Sequence, residues 1–93
     1  MPSLAEELKS LIGHEVVLDT RSPFVYIGKL EAVGDHFLTM ADVDVYDSSE
    51  THTRKEVYAF ESRKYGIKRN RARCLVKVAD VISLSRLEDI VEF

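Results

Sequence analysis

The chain has 93 residues, of which 45% are apolar and 31% are charged, a composition typical of one soluble globular domain. No apolar run reaches the ~20 residues of a membrane-spanning helix, and no basic segment followed by an apolar one begins the sequence. We therefore expect a single domain over residues 1–93, located in the cytoplasm, with no membrane partner. Cys74 has no second cysteine with which to pair and is predicted to be a small buried apolar residue.

Charge is distributed unevenly along the chain. The net charge is −3, yet the segment from Arg54 to Lys77 holds nine basic residues against Glu56 and Glu61, and so carries +7. The remaining residues therefore carry −10. This asymmetry indicates either an anionic partner for one surface or a solvated segment whose charges pair with acidic neighbours, including those of another subunit.

A short helix is predicted over residues 3–12, because apolar residues recur there at helical spacing. Ser3 and Glu6 have the spacing of an N-terminal capping box, and Gly13 is a typical C-terminal stop. A helix of this length is marginal by itself, so we expect its apolar stripe to dock on an open end of a barrel. The stripe consists of Leu4, Leu8, Leu11 and Ile12.

Two strands are predicted next, over residues 14–20 and 24–33, with a short turn between them. The second strand carries apolar residues on both faces, such as Leu30 on one and Ile27 on the other, which is typical of a strand buried on both sides. Gly28 interrupts this strand. A glycine inside a strand often marks the sharp bend that a small barrel needs for closure.

A third strand is predicted over residues 36–46, after a turn at Gly34 and Asp35. Asp42 and Asp44 share a face in this interpretation, so they could hold a hard cation, although a charged strand end facing the basic segment is favoured. Strict alternation places Phe37, Thr39, Ala41, Val43 and Val45 on the inner face and His36, Leu38, Met40, Asp42 and Asp44 on the outer face.

Fourth and fifth strands are predicted over residues 71–78 and 81–86, joined by a very short link, with an insert of about residues 48–70 before them. Within the insert, residues 53–65 are favoured as a helix that begins at a Thr53–Glu56 capping box and ends at Gly66. The same residues also alternate well enough for a long hairpin arm. The short acidic tail fits a last helical turn packed on a neighbour.

Three sequence blocks resemble the motifs of the Sm-like family. They are Gly13-His14-Glu15-Val16-Val17-Leu18, then Gly28-Lys29-Leu30, and Val76-Lys77-Val78-Ala79-Asp80-Val81, which is similar to the family's Ile-Arg-Gly-x-x-Val. The resemblance covers roughly residues 3–86, less the insert. It implies a mainly β fold, in which an N-terminal helix precedes a strongly bent five-stranded Sm-like (SH3-like) barrel, with the helical segment inserted between strands three and four.

The resemblance also implies where RNA would bind. Family members hold uridine between an aromatic or histidine side chain after strand two and an arginine of the second motif. An asparagine reads the base edge, and an aspartate holds the asparagine. The matching positions here are His36, Lys77, Leu38 and Gly34. Leu38 offers no hydrogen bond and a lysine lacks the flat guanidinium, so the resemblance implies RNA binding with relaxed base preference.

Phosphate contacts from the basic segment are expected to supplement stacking at His36. The alternatives are an exposed turn residue for His36, and a solvated strand lysine or an inter-subunit salt bridge for Lys77. The candidate RNA-binding residues are His36, Phe37, Lys77, Arg63, Lys64, Lys68, Arg69 and Arg71. The sequence has no nucleophile with an adjacent base, no phosphate-binding loop and no metal-ligand spacing, so no enzyme activity, cofactor or metal is expected.

Self-association into a ring is the last expectation. Strands four and five are short, and unpaired strand edges invite pairing with another chain. Family members pair strand four of one subunit with strand five of the next, head to tail, until the ring closes. Two functions follow: an RNA-binding ring without catalysis, or an assembly ring that has lost RNA binding and whose protein partner docks on the basic insert.

Overall fold

The computed structural model describes residues 4–50 and 53–91, and its elements follow the predicted order. They are α1 (Leu4–Lys9), β1 (Glu15–Thr20), β2 (Phe24–Val33), β3 (Phe37–Asp47), α2 (Lys55–Tyr65), β4 (Arg71–Lys77) and β5 (Val81–Arg86). Short 3₁₀ turns follow β4 at Val78–Asp80 and β5 at Leu87–Asp89. In the part of the chain that is described, neither helix combines the length and apolar content needed to cross a membrane.

The five strands form one antiparallel sheet in the order β4-β3-β2-β1-β5. The predicted fold class is therefore confirmed: the protein is mainly β, with a helix before five strands and a second helix inserted between β3 and β4. Within the described chain β4 and β5 form the two edges of this sheet.

Gly28 lies where β2 and β3 approach each other most closely. A Cβ at this position would come within 3.0 Å of the Ala41 carbonyl oxygen and 3.0 Å of the Val43 Cα. The β2–β3 register also shifts between Ile27 and Lys29. The strand pairing is thus irregular at Gly28, and glycine is needed there because any side chain would push the two backbones apart. The sharp bend expected at this residue stays a prediction.

The sheet has apolar residues on both faces, and each face has its own core. β2 contributes to both, with Leu30 in the first core and Val25 and Ile27 in the second, as predicted for a strand buried on two sides. Leu8 and Leu11 pack on the first core, and Cys74 lies half-buried against it. The buried members are Val16, Leu18, Leu30, Leu38, Met40, Val43 and Val76 in the first core, and Val17, Val25, Ile27, Tyr46, Ala59 and Leu87 in the second.

Helix α1 is shorter than predicted. It ends at Lys9, and the chain continues in turns until the Gly13 N–H donates to the Leu30 carbonyl oxygen at 2.8 Å. Leu8 and Leu11 dock as expected, but Ile12 is exposed because the helical spacing that would bring it to the core has already ended. Ser3 of the predicted capping box lies outside the described residues.

The predicted inner face of β3 is wrong over its first half. Leu38 and Met40 are 1% and 0% exposed, whereas Phe37 is 45% exposed. The alternation changes at Asp42, which has a φ of +51° and lies at the register shift, and Val43 then faces the same core as Met40. An additional residue at a bulge reverses side-chain alternation, so strict alternation applied to the whole strand assigned these faces wrongly.

The insert forms a helix rather than a hairpin arm. α2 begins at Lys55, with Arg54 as its N-cap and without a side-chain capping hydrogen bond, so the predicted Thr53–Glu56 capping box does not start it. The helix ends at Gly66 as predicted, with φ +96° and its N–H donating to the Ser62 carbonyl oxygen. This left-handed conformation favours glycine. The 3₁₀ turn after β5 packs on α2 in the same chain and buries Leu87 in the second core.

Candidate nucleic-acid interface

The β2–β3 loop and the end of β4 meet at one end of the sheet. Phe37 pairs with Lys77 across β3 and β4, and the Val78 N–H donates to the His36 carbonyl oxygen at 2.9 Å. The antiparallel register therefore brings together residues about forty positions apart in the sequence. Three of the predicted site residues, His36, Phe37 and Lys77, become neighbours in this way.

These residues surround an open pocket of about 410 Å³, which we call the loop pocket. The side chains of His36 and Lys77 are exposed, and so is nearly half of Phe37. Two aromatic rings beside an ammonium group can stack a planar base and contact a phosphate. The pocket is lined by Asp35, His36, Phe37, Lys77, Val78 and Ala79.

Two side chains of opposite charge, Asp35 and Lys77, line the loop pocket. Lys77 forms no ion pair with any residue that the structure describes, so its ammonium is available to an external anion. Asp35 lines the same pocket. Its carboxylate repels phosphate, which favours a bound phosphate on the Lys77 side of the pocket.

Leu38 does not line the loop pocket, although its position matches the base-reading asparagine of the Sm-like motif. It is almost fully buried in the first core and pairs with Val76 of β4. Gly34 lies in the exposed turn, where its N–H donates to the Phe37 carbonyl oxygen at 2.9 Å. Residue 38 therefore faces the core and offers no contact to a base, and Phe37 lines the pocket instead.

The other predicted RNA-binding residues are not part of the loop pocket. They lie on α2, in the loop that follows it and at the start of β4, at the opposite end of β3. Arg69 pairs with Asp42 at 2.5 Å, and Arg63 donates to the Ile90 carbonyl oxygen at 2.6 Å. The residues of this second group are Arg63, Lys64, Lys68, Arg69 and Arg71.

Asp44 and Tyr58 hold α2 against the sheet. The Tyr58 hydroxyl donates to the Asp44 carboxylate, which also accepts from the Asn70 amide at 3.2 Å. Burial and this hydrogen bond raise the pKa of Tyr58 well above its ordinary value, because both disfavour the phenolate. The Tyr58 ring stacks on that of Tyr46, with centroids 3.8 Å apart.

Asp42 and Asp44 differ in burial. Asp42 is exposed, whereas Asp44 is 4% exposed and accepts a hydrogen bond from Tyr58 of α2. Among residues 4–50 and 53–91 no group of three or more His, Cys, Asp or Glu side chains could hold a metal. The favoured interpretation of a charged strand end facing the insert is what the structure shows. The sequence did not predict that the Asn70 side chain would bond Asp44 and the backbone of Val45, and no pattern in it indicates these contacts.

No family model matches the sequence, and no curated protein matches it. Solved structures, however, do match this chain. An Sm protein of Pyrococcus abyssii, in complex with a uridine heptamer, superposes with a TM-score of 0.62 at 11% identity over 91% of this chain and 99% of that one. The P. aerophilum SmAP1 heptamer gives a TM-score of 0.58 at 18% identity over 92% of this chain and 95% of that one. The chain has an Sm fold. In this Sm fold, the loop pocket and α2 lie at opposite ends of β3.

Proposed function

We propose that this chain forms a ring of identical subunits and binds single-stranded RNA without catalysis. The observation that carries the proposal is the loop pocket, in which His36, Phe37 and the exposed ammonium of Lys77 come together. The Sm protein of Pyrococcus abyssii, whose fold this chain shares, was solved with a uridine heptamer, and this likeness supports the same class of ligand here.

Binding at the loop pocket has a relaxed base preference. Aromatic side chains stack on any base, because every base has a π face. Residue 38, which matches the base-reading asparagine, is a leucine buried in the core and cannot contact a base edge. The pocket therefore distinguishes bases mainly by stacking strength, and Lys77 contributes an electrostatic contact that is the same for every sequence.

Ring assembly uses the two sheet edges. Within the described chain, β4 and β5 each pair on one side only, and Leu75 and Ile82 on these strands are 62% and 60% exposed. Pairing β4 of one subunit with β5 of the next would satisfy the edge hydrogen bonds and bury these side chains. The related fold of P. aerophilum SmAP1 was solved as a heptamer, which supports a ring here.

A second candidate is an assembly ring that no longer binds RNA and whose protein partner docks on the basic insert. The observation that favours it is Asp35, whose carboxylate lines the loop pocket and opposes phosphate. The two candidates share the ring and differ in whether the loop pocket binds RNA or the basic insert binds a protein.

Filter binding with short U-rich, A-rich and mixed RNAs at low salt tests the proposal. We expect binding to all three with similar affinity, and a steep decrease as salt is raised. The His36→Ala variant should weaken binding to every RNA, whereas Arg21→Ala, an exposed cation outside the pocket, should have little effect. Absence of binding to all three RNAs would remove the RNA proposal. Co-purification of a protein without nucleic acid would then support the second candidate.

A further inference from the structure

An exposed aromatic residue lies between two lysines at the far end of β3. Tyr65 ends α2 and is 71% exposed, and the Lys64 Nζ lies 5.3 Å from the centroid of its ring. Lys68 lines the same small pocket as Tyr65, with a volume of about 100 Å³. We call Lys64, Tyr65 and Lys68 the α2 surface.

The lysines of the α2 surface are not used to hold the fold. Another cation of the insert does help to hold the fold, because the Lys55 ammonium forms an ion pair with the Asp19 carboxylate at 2.7 Å. Lys64 and Lys68 make no ion pair with any of the residues described in the structure. Their charge is therefore available to an external anion.

Two carboxylates also line the small pocket beside Tyr65. Asp44 is buried, and its carboxylate already accepts hydrogen bonds from Tyr58 and Asn70. Glu61 is exposed, so these two carboxylates balance the charges of Lys64 and Lys68. The positive potential comes from the wider segment 53–73, which has eight basic residues against two acidic ones.

The position of Tyr65 decides which anion fits. Tyr58, about two turns earlier on α2, stacks inside the protein on Tyr46, but most of the Tyr65 ring is exposed to solvent. An exposed ring with one ammonium group beside it and a second lining the same pocket can stack a base while the lysines contact the flanking phosphates. An acidic peptide would use the lysines but would gain little from the ring.

We propose that the α2 surface is a second contact site for single-stranded RNA, separate from the loop pocket. This proposal rests on the RNA-binding function proposed above. The two sites are separated along β3 by the seven residues from Phe37, at the loop pocket, to Asp44, beside Tyr65. This separation is about 20 Å of extended strand. One RNA strand that reaches both sites binds the second site at high effective concentration, so affinity rises with RNA length.

The experiment compares RNAs of about 4 and about 16 nucleotides, the range of site sizes known for small single-strand-binding barrels. Lys64→Glu/Lys68→Glu is the test variant. Arg21→Glu/Lys29→Glu is its control, since it changes the charge equally at exposed positions outside both sites. Losing two phosphate contacts should lower the slope of log affinity against log salt by about 1.4 for the long RNA. The short RNA should bind the test variant and the control equally.

Stacking is tested separately with Tyr65→Ala, which changes no charge. The long RNA should bind this variant about 5- to 150-fold more weakly than wild type, as expected for the loss of one stacked base. The circular dichroism spectrum and the solution mass of each variant are compared with wild type, and a variant with altered mass is replaced by the milder Lys64→Gln/Lys68→Gln.

The outcomes separate this proposal from the proposed function. If wild type binds the long RNA, and His36→Ala weakens binding while the α2 variants match their control, the α2 surface is wrong and the loop pocket stands. If wild type binds neither RNA, the proposed function itself fails. If Lys64→Glu/Lys68→Glu loses an acidic protein partner but binds RNA as its control does, the α2 surface is a protein-docking site and the proposal is overturned.

Discussion

The Tyr58 hydroxyl of α2 donates a hydrogen bond to the buried carboxylate of Asp44 on β3. Asn70 donates from its side-chain amide to the other oxygen of this carboxylate. The Asn70 side chain also accepts from the Val45 N–H and donates to the Val45 carbonyl oxygen, each at 3.0 Å. Asp44 therefore connects the sheet both to the helix, through Tyr58, and to the end of the loop that follows it, through Asn70. These two contacts hold α2 and its following loop against β3.

Replacing Tyr58 by Phe should destabilise the fold without changing its packing. The substitution removes one hydrogen bond from a buried carboxylate, so we expect the free energy of unfolding to fall by about 1–3 kcal/mol. Urea denaturation followed by circular dichroism measures the change. Tyr65→Phe is the control, because the Tyr65 ring is largely exposed, and an equal effect of both variants would contradict the role of Tyr58.

The same residue makes stability depend on pH in the alkaline range. Burial and the bond to Asp44 raise the pKa of Tyr58 in the folded protein, so the folded state holds this proton more tightly than the unfolded state. Its contribution is complete below pH of about 10, the ordinary tyrosine pKa, and is lost as the pH rises above it. The free energy of unfolding of wild type should therefore fall more steeply above this pH than that of Tyr58→Phe. Equal slopes would contradict this assignment.

A methyl group at Gly28 should strain the sheet. The added Cβ would lie 3.0 Å from backbone atoms of both Ala41 and Val43, which cannot move without shifting β3. We expect Gly28→Ala to lower the free energy of unfolding by about 1–3 kcal/mol, as other overpacked positions do. Thermal unfolding compares it with Gly34→Ala, in an exposed turn, which should cost less.

An acidic residue at either sheet edge should break the ring. Ile82→Asp and Leu75→Asp place a charge where the neighbouring subunit is proposed to pack, and burying an unpaired charge is strongly unfavourable. Light scattering coupled to size exclusion should show wild type as a ring and both variants as smaller species. Val91→Asp, exposed but outside the strands, serves as the control. A wild-type monomer, or rings formed equally by all variants, would refute the edge pairing.

Substitutions of Lys77 should raise or lower the affinity for RNA, depending on the side chain introduced. Lys77→Arg restores the flat guanidinium and should tighten binding, because a guanidinium can both stack on a base and bond a phosphate. Lys77→Gln should weaken binding to every RNA and lower the salt slope by about 0.7, the value for one phosphate contact on a single strand. Fluorescence anisotropy with labelled RNA measures both. Identical affinities for wild type and the two variants would exclude Lys77 from the site.

Local sequence signals predicted most of the fold. Gly66 marked a helix end, and the apolar residues on both faces of β2 indicated a strand buried on both sides. The faces of β3 could not be predicted, because the change of alternation at Asp42 depends on how β3 pairs with β2 and not on its own residues.

The site was predicted in part for a similar reason. The sequence resemblance indicated His36 and Lys77, and the strand register does bring them together. The same resemblance matched Leu38 to the base-reading asparagine, but it did not indicate that this side chain lies in the core. Asn70 was missed, since a single asparagine in a basic segment has many possible partners and only the three-dimensional structure shows which it has.

Ultraviolet cross-linking of the purified protein to single-stranded RNA, with the attached residues identified by mass spectrometry, tests the central claim most directly. The proposal predicts cross-links to His36 or Phe37 in the loop pocket, and their loss when unlabelled RNA competes. If cross-links form elsewhere on the chain but none forms at His36 or Phe37, the proposal is contradicted.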